Sequence, residues 1–259
     1  MDDTLLRSDL TISDRTIETI KKAREQGVYF TFATGRMPRA VRPYAEKLGI
    51  NVPVITYSGA LVQEALTGEV LYHKVVPTDT ASDIISWFLD QGIHAHVYLK
   101  DQIYVHEMND YTREYIKVIK APIEVSNLLE LLSKEEEGVE KIIFFESEDK
   151  LRDIGKVLLD RYKGKIHLTK SKPRFLEIIN PNVNKGVALK ALAERIGVKR
   201  EEIMAFGDNI NDLEMIEYAG LGVAIGNACQ ELKDLADVIT SSNQDDGVAK
   251  AIETYVLQK

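Results

Sequence analysis

Six residues, Gly207-Asp208-Asn209-Ile210-Asn211-Asp212, follow the apolar run Ile203-Met204-Ala205-Phe206 and precede the helix-like stretch Leu213-Glu214-Met215-Ile216-Glu217. This reads as a strand, a tight glycine turn and two carboxylates at the strand's C-terminal end, the edge at which open α/β sheets bind ligands. Two acids four residues apart with an amide beside them suit a hard cation such as Mg²⁺, which takes oxygen ligands and keeps part of its water shell. The chemistry indicated is metal-dependent phosphoryl transfer. Three more polar clusters fall at the ends of expected elements: Met1-Asp2-Asp3-Thr4-Leu5-Leu6, Thr34-Gly35-Arg36 and Asn184-Lys185-Gly186. Singly, each has a plain reading. Asp208 and Asp212 would serve a turn and a helix cap, and Lys185 would be a surface lysine, although a cation at a helix start opposes the dipole. The order and spacing of all four favour one site. Arg36 either binds substrate or pairs with a surface acid. His94 and His96 share one strand face, and with no Cys or His partner nearby they read as sheet residues rather than metal ligands.

These clusters need elements to hold them. Ser13 can cap a helix over 14–26 that Gly27 stops. Residues 28–33 read as a buried strand, 38–48 as a helix with Pro38 in its first turn, and 54–57 as a short strand with Ser58-Gly59 as its turn. Near Pro77 the rhythm changes. A helix over 79–90 capped by Thr78, strands over 94–99 and 102–105, a helix over 109–119, a strand over 141–146, a helix over 148–162 and strands over 166–169 and 175–179 come in blocks, which suggests an α+β unit. Trp87 and Phe88 pack the first of these helices, and the acidic run Lys134–Gly138 reads as a solvated loop. Strict βα alternation resumes after Pro181, with a helix over 185–196. The expected fold class is α/β: a Rossmann-like parallel-sheet core over 1–77 and 182–259, with an α+β cap inserted over 78–181.

With 259 residues, 44% of them hydrophobic and 29% charged, the chain has the composition of a globular protein. A net charge of −8 gives no general attraction to nucleic acid or anionic membrane, and no apolar run approaches the roughly 20 residues a membrane helix needs. The single cysteine, Cys229, reads as a small residue at a helix start and fits a reducing cytoplasm.

Taken together, the four clusters resemble those of the haloacid dehalogenase (HAD) superfamily, and within it the Cof-type sugar phosphatases with an inserted α+β (C2-type) cap. The late segments 222–228 and 240–249 extend the likeness over the whole chain. The resemblance implies that Asp2 is the general acid/base, whose backbone carbonyl also binds Mg²⁺. It implies that Thr34 donates to the phosphoryl group and that Lys185 offsets developing charge. Asp208 is implied to ligate the metal, Asp212 to reach it directly or through water, and Asn211 to hold the phosphate or the metal's water. Gly35, Gly186 and Arg36 lie on the phosphate side, as do Ser58 and Gly59, where relatives usually have Asn-Gly. The implied cofactor is Mg²⁺ and the implied substrate a small phosphorylated metabolite. The family's first motif, Asp-x-Asp-x-Thr, begins one residue before Met1, so its nucleophilic aspartate and first strand are expected upstream of this sequence. The rival class is an inactive phosphate- or metabolite-binding protein.

Overall fold

The computed structural model describes residues 1–119, 121–172 and 174–258. They form two compact units, one of Met1–Gly35, Val41–Tyr72 and Asn184–Lys259, the other of Arg36–Ala40 and His73–Val183.

In the first unit Ser13 accepts the Thr16 amide and starts the helix Asp14–Glu25. Its buried Thr16, Thr19, Ile20 and Ala23 recur at the spacing that puts side chains on one helical face. The parallel strands Met204–Gly207, Leu221–Ala224 and Val238–Ile239 lie in that order, and the helices Lys185–Ile196, Leu213–Tyr218, Gln230–Leu235 and Gly247–Ile252 alternate with them. This is the α/β pattern, with helices covering a parallel sheet. Val54–Thr56 pairs antiparallel with Leu61–Gln63, and no described helix is long and apolar enough to cross a membrane.

The segment 28–33 departs from expectation. It is extended, but only Ala33 makes a parallel bridge, to Ile55, through Ile55 N–H to Phe32 C=O at 2.8 Å and Thr34 N–H to Ile55 C=O at 2.9 Å. Residues 27–33 also line a cavity of about 860 Å³, shared with Ala205, Phe206 and Val248. The ladder is therefore one-sided, and Tyr29, 54% exposed, is left outside the core.

The second unit holds a six-stranded sheet in the order His167–Lys172, Phe175–Ile179, Lys141–Phe145, Ala95–Leu99, Gln102–Val105, Ile123–Val125. All neighbours are antiparallel except the last pair. The sheet is reached by alternation. Ala95, Val97, Leu99, Ile142 and Phe144 join Ile84, Ile85 and Phe88 of the helix Thr78–Asp90 and Leu151 and Leu158 of the helix Glu148–Arg161 in one apolar cluster. The polar positions His96, Tyr98 and Lys141 belong to the opposite face. There Thr112, on the helix Asp110–Ile119, meets His94 Nε2 at 2.7 Å and His96 Nε2 at 3.0 Å. Two expectations are corrected. Thr78 does not cap its helix: its hydroxyl donates to the Glu135 carbonyl at 2.9 Å. The acidic run is not simply solvated, since Glu135 pairs with Lys100 at 2.6 Å and Gly138 enters a two-residue strand against Val76–Pro77. The strands Ile123–Val125 and Leu61–Gln63 and the short helix Leu128–Leu132 were not foreseen.

Candidate active site

Strand Met204–Gly207 delivers Asp208 at its C-terminal end, and the single turn Ile210–Asp212 brings the chain back so that Asp212 lies over Gly207. A Cβ at Gly207 would sit 2.6 Å from that of Asp212, so only glycine allows the fold-back. The Asp212 carboxylate is buried and uses both oxygens. Oδ1 accepts from Lys185 Nζ at 2.6 Å, and Oδ2 accepts from the Asp208 and Asn209 amides at 3.0 and 3.2 Å. Burial opposes its charge, while Lys185 and these hydrogen bonds favour it, and the carboxyl lies below its ordinary range. Asp208 goes the other way: burial first, then the charge of Asp212, push its carboxyl up, and the hydrogen bond from Thr4 Oγ1 to Oδ1 only partly offsets them.

Lys185 is buried as the first residue of its helix, behind Asn184, whose side chain accepts the Val187 amide at 2.7 Å. Against Asn184 stands the turn Tyr57–Gly59. Gly59 has φ +106°, and a Cβ there would lie 2.3 Å from the Asn184 carbonyl oxygen. Ser58, in the left-handed region at φ 58°, donates its amide to the Thr34 carbonyl at 2.9 Å. A continuous chain of contacts thus runs from buried Thr34 through Ser58, Gly59 and Asn184 to Lys185, Asp212, Asp208 and Thr4. Replacing Gly59 by alanine should cost about 1–3 kcal/mol from the backbone conformation alone and more from the clash. A lowered thermal midpoint would register it; an unchanged midpoint would mean the turn does not press on Asn184.

The remaining candidates fall as follows. Gly35 is half-buried after Thr34, and Asn211 is half-buried within the turn Ile210–Asp212. Arg36 belongs to the segment grouped with the second unit. The buried Ser58 Oγ has no hydrogen-bond partner among the described residues. Asp2 is half-buried. Thr4, given no role from sequence beyond its place in the first cluster, is the residue that ties that cluster to Asp208.

Among the described residues no group of three or more Asp, Glu, His or Cys side chains gathers to hold a metal, and the Asp212 carboxylate is bonded to Lys185 and two amides. The oxygen donors of the kind a hard cation takes are the Asp208 and Asp212 carboxylates and the Asp2 main chain. A carboxyl pushed up by burial and by a neighbouring anion is relieved by such a cation, and Mg²⁺ needs few protein ligands.

A family profile for haloacid dehalogenase-like hydrolases matches residues 1–252. The chain is 32% identical, over 98% of its length and 95% of the relative's, to 5-amino-6-(5-phospho-D-ribitylamino)uracil phosphatase YitU of Bacillus subtilis (strain 168). Among solved structures it is similar to TM0651 from Thermotoga maritima, with a TM-score of 0.86 and 36% identity over 98% of this chain and 94% of that one. It is also similar to the HAD subclass IIB sugar phosphatase BT4131, with a TM-score of 0.85 and 25% identity over 98% and 96%. The chain therefore belongs to the haloacid dehalogenase-like hydrolases, as a phosphatase of the HAD type.

Proposed function

We propose that this HAD-type phosphatase hydrolyses a small phosphomonoester, a sugar phosphate or similar metabolite, in a Mg²⁺-dependent reaction through an aspartyl-phosphate. The observation that carries the reading is the contact chain that joins buried Thr34, through Ser58, Gly59 and Asn184, to Lys185, Asp212 and Asp208. Phosphoryl transfer asks the protein mainly for positioning and charge neutralisation, and those are what these residues offer. The Asp208 carboxylate and the Asp2 carbonyl, with Asp212 directly or through water, would hold Mg²⁺, which would supply charge neutralisation at the phosphate oxygens.

The residues of this chain do the rest. Lys185 Nζ, fixed by Asp212, stands where negative charge builds. The Thr34 hydroxyl donates to a phosphoryl oxygen. In the first step a carboxylate, which the family likeness assigns to the position before Met1, forms a bond to phosphorus as the ester P–O bond breaks, and Asp2 gives its proton to the departing alcohol. In the second step water attacks phosphorus, Asp2 takes its proton, and the acyl P–O bond breaks to release inorganic phosphate. Residues 78–181 are proposed as the cap that selects the substrate, and the cytoplasm as the compartment.

The test is phosphate release from a panel of sugar and polyol phosphates, with and without Mg²⁺. It is run on this chain and on a form carrying an apolar strand ending in aspartate ahead of Met1. Mg²⁺-dependent release by the extended form supports the proposal. Calorimetric binding of the same esters with no release by either form would replace it with a binding function.

A further inference from the structure

Two asparagines outside the four clusters stitch the first of them to the third strand's loop. Asn227 Nδ2 donates to the Asp3 carbonyl at 2.7 Å, and its Oδ1 accepts the Asn243 amide at 3.0 Å. Asn243, 8% exposed, sends Nδ2 to the Leu6 carbonyl at 2.8 Å. The loop bearing Asn227 also reaches the opposite wall, because the Cys229 amide donates to the Asp208 carbonyl at 2.9 Å. A single short loop is therefore bonded to the main chain on both sides of the Thr4–Asp208 contact. Met1 C=O receives the Leu5 and Leu6 amides at 3.0 and 2.9 Å, so the segment Met1–Leu6 is a closed turn that these amides can hold as one body.

We infer that Asn227 and Asn243 are positioning residues that fix the turn carrying Asp2 and Thr4 against Asp208. The inference rests on the phosphatase reading for its consequence in catalysis, but not for its geometry. Neither side chain touches Asp208. Each acts through a backbone carbonyl of the turn, and a displacement of about 1 Å at such a distance from the chemistry can lower a rate about a hundredfold.

The experiment uses the full chain with Asn227→Ala, Asn243→Ala, the pair together, and Asn227→Asp. Asn227→Asp keeps the acceptor for the Asn243 amide but sets an oxygen against the Asp3 carbonyl. Hydrogen exchange at the Leu5 and Leu6 amides should quicken about tenfold in both single alanine variants, the order expected for losing one net hydrogen bond. It should quicken no further in the pair, since both hold one segment. Asn227→Asp should behave like alanine in exchange while keeping the parent's thermal midpoint. Mg²⁺ affinity by calorimetry should fall in parallel. In the form that turns over, kcat should drop about tenfold to a hundredfold with KM changed less than about threefold. Arg7→Ala breaks a half-exposed pair to Asp246 at 2.9 Å joining the same two stretches, and should leave exchange at the turn as it was. Unchanged exchange at Leu5 and Leu6 in Asn227→Ala, or full rescue by Asn227→Asp, overturns the inference. If Asn243→Ala fails to fold, exposed Asn227 carries the test alone. Absence of turnover in every form would count against the phosphatase reading and leave the exchange result to decide this one.

Discussion

Replacing Lys185 by alanine is expected to destabilise the first unit by about 3–5 kcal/mol, the usual cost of leaving one member of a buried ion pair alone. Lys185 and Asp212 are 6% and 4% exposed at the side chain, so little solvent screening reduces that figure. The pH dependence should change sign as well. In the parent, Asp212 is held below its ordinary range, so its contribution is present above the unfolded carboxyl value and lost as pH falls through the folded one. Without Lys185, burial dominates and drives the carboxyl above that value, so the variant should gain stability as pH falls from 7 towards 5. Urea unfolding at both pH values measures this. The double change Lys185→Met, Asp212→Leu should recover most of the stability, because apolar replacements of a buried pair are often neutral. It should recover none of the phosphate release, for which loss of a charge-stabilising donor costs about 10²–10³ in kcat. A variant lacking Lys185 alone that unfolds like the parent at pH 7 would mean that Asp212 is not buried on this lysine.

What the sequence made legible is local. The apolar run into Gly207-Asp208, the Ser13 cap and the helix from Lys185 follow from neighbours within a few residues, and the structure has them at Met204–Gly207, Asp14–Glu25 and Lys185–Ile196. Partners were less legible than positions. Asp212 was legible as an acid of the site, but spacing alone does not reveal that Lys185, 27 residues earlier, bonds one of its oxygens and two amides the other. Residues 28–33 have strand composition, but a ladder requires neighbours, and only Ile55 pairs with them among the described residues. Ile123–Val125 was missed because it is half-exposed and pairs with Gln102–Val105 across an intervening helix, so neither alternation nor a turn announces it. Thr78 is a good capping type whose hydroxyl found the Glu135 carbonyl instead. Asn227 and Asn243 sit in segments noted only for their family likeness. The carbonyls of Asp3 and Leu6 to which they donate lie more than 200 residues away in the chain, beyond any local pattern.

The second unit should weaken in mild acid mainly through the imidazole of His96. His96 is fully buried, its Nδ1 has no hydrogen-bond partner among the described residues, and burial pushes its ionisation from 6.5 down to about 3, with His94, itself lowered by burial, as a minor contributor. The groups packed on it carry no compensating anion: the Tyr115 and Phe145 rings at 4.9 and 4.5 Å, His94 at 5.3 Å and the Thr112 hydroxyl. Folding therefore requires neutral His96, while the unfolded chain takes up a proton below pH 6.5. The stability contribution is intact above that pH and declines as pH falls, by about 2 kcal/mol at pH 5 and towards about 5 kcal/mol near pH 3. His96→Leu gives up the bond to Thr112, worth about 1 kcal/mol, but removes the orphaned nitrogen, so near pH 7 it should unfold close to the parent. Between pH 6.5 and 4.5 the two should diverge, with the parent falling faster. Carboxylates elsewhere titrate alike in both proteins and cancel in the difference. Parallel pH profiles for the two would mean that His96 finds a proton acceptor in the folded unit, contrary to the environment described.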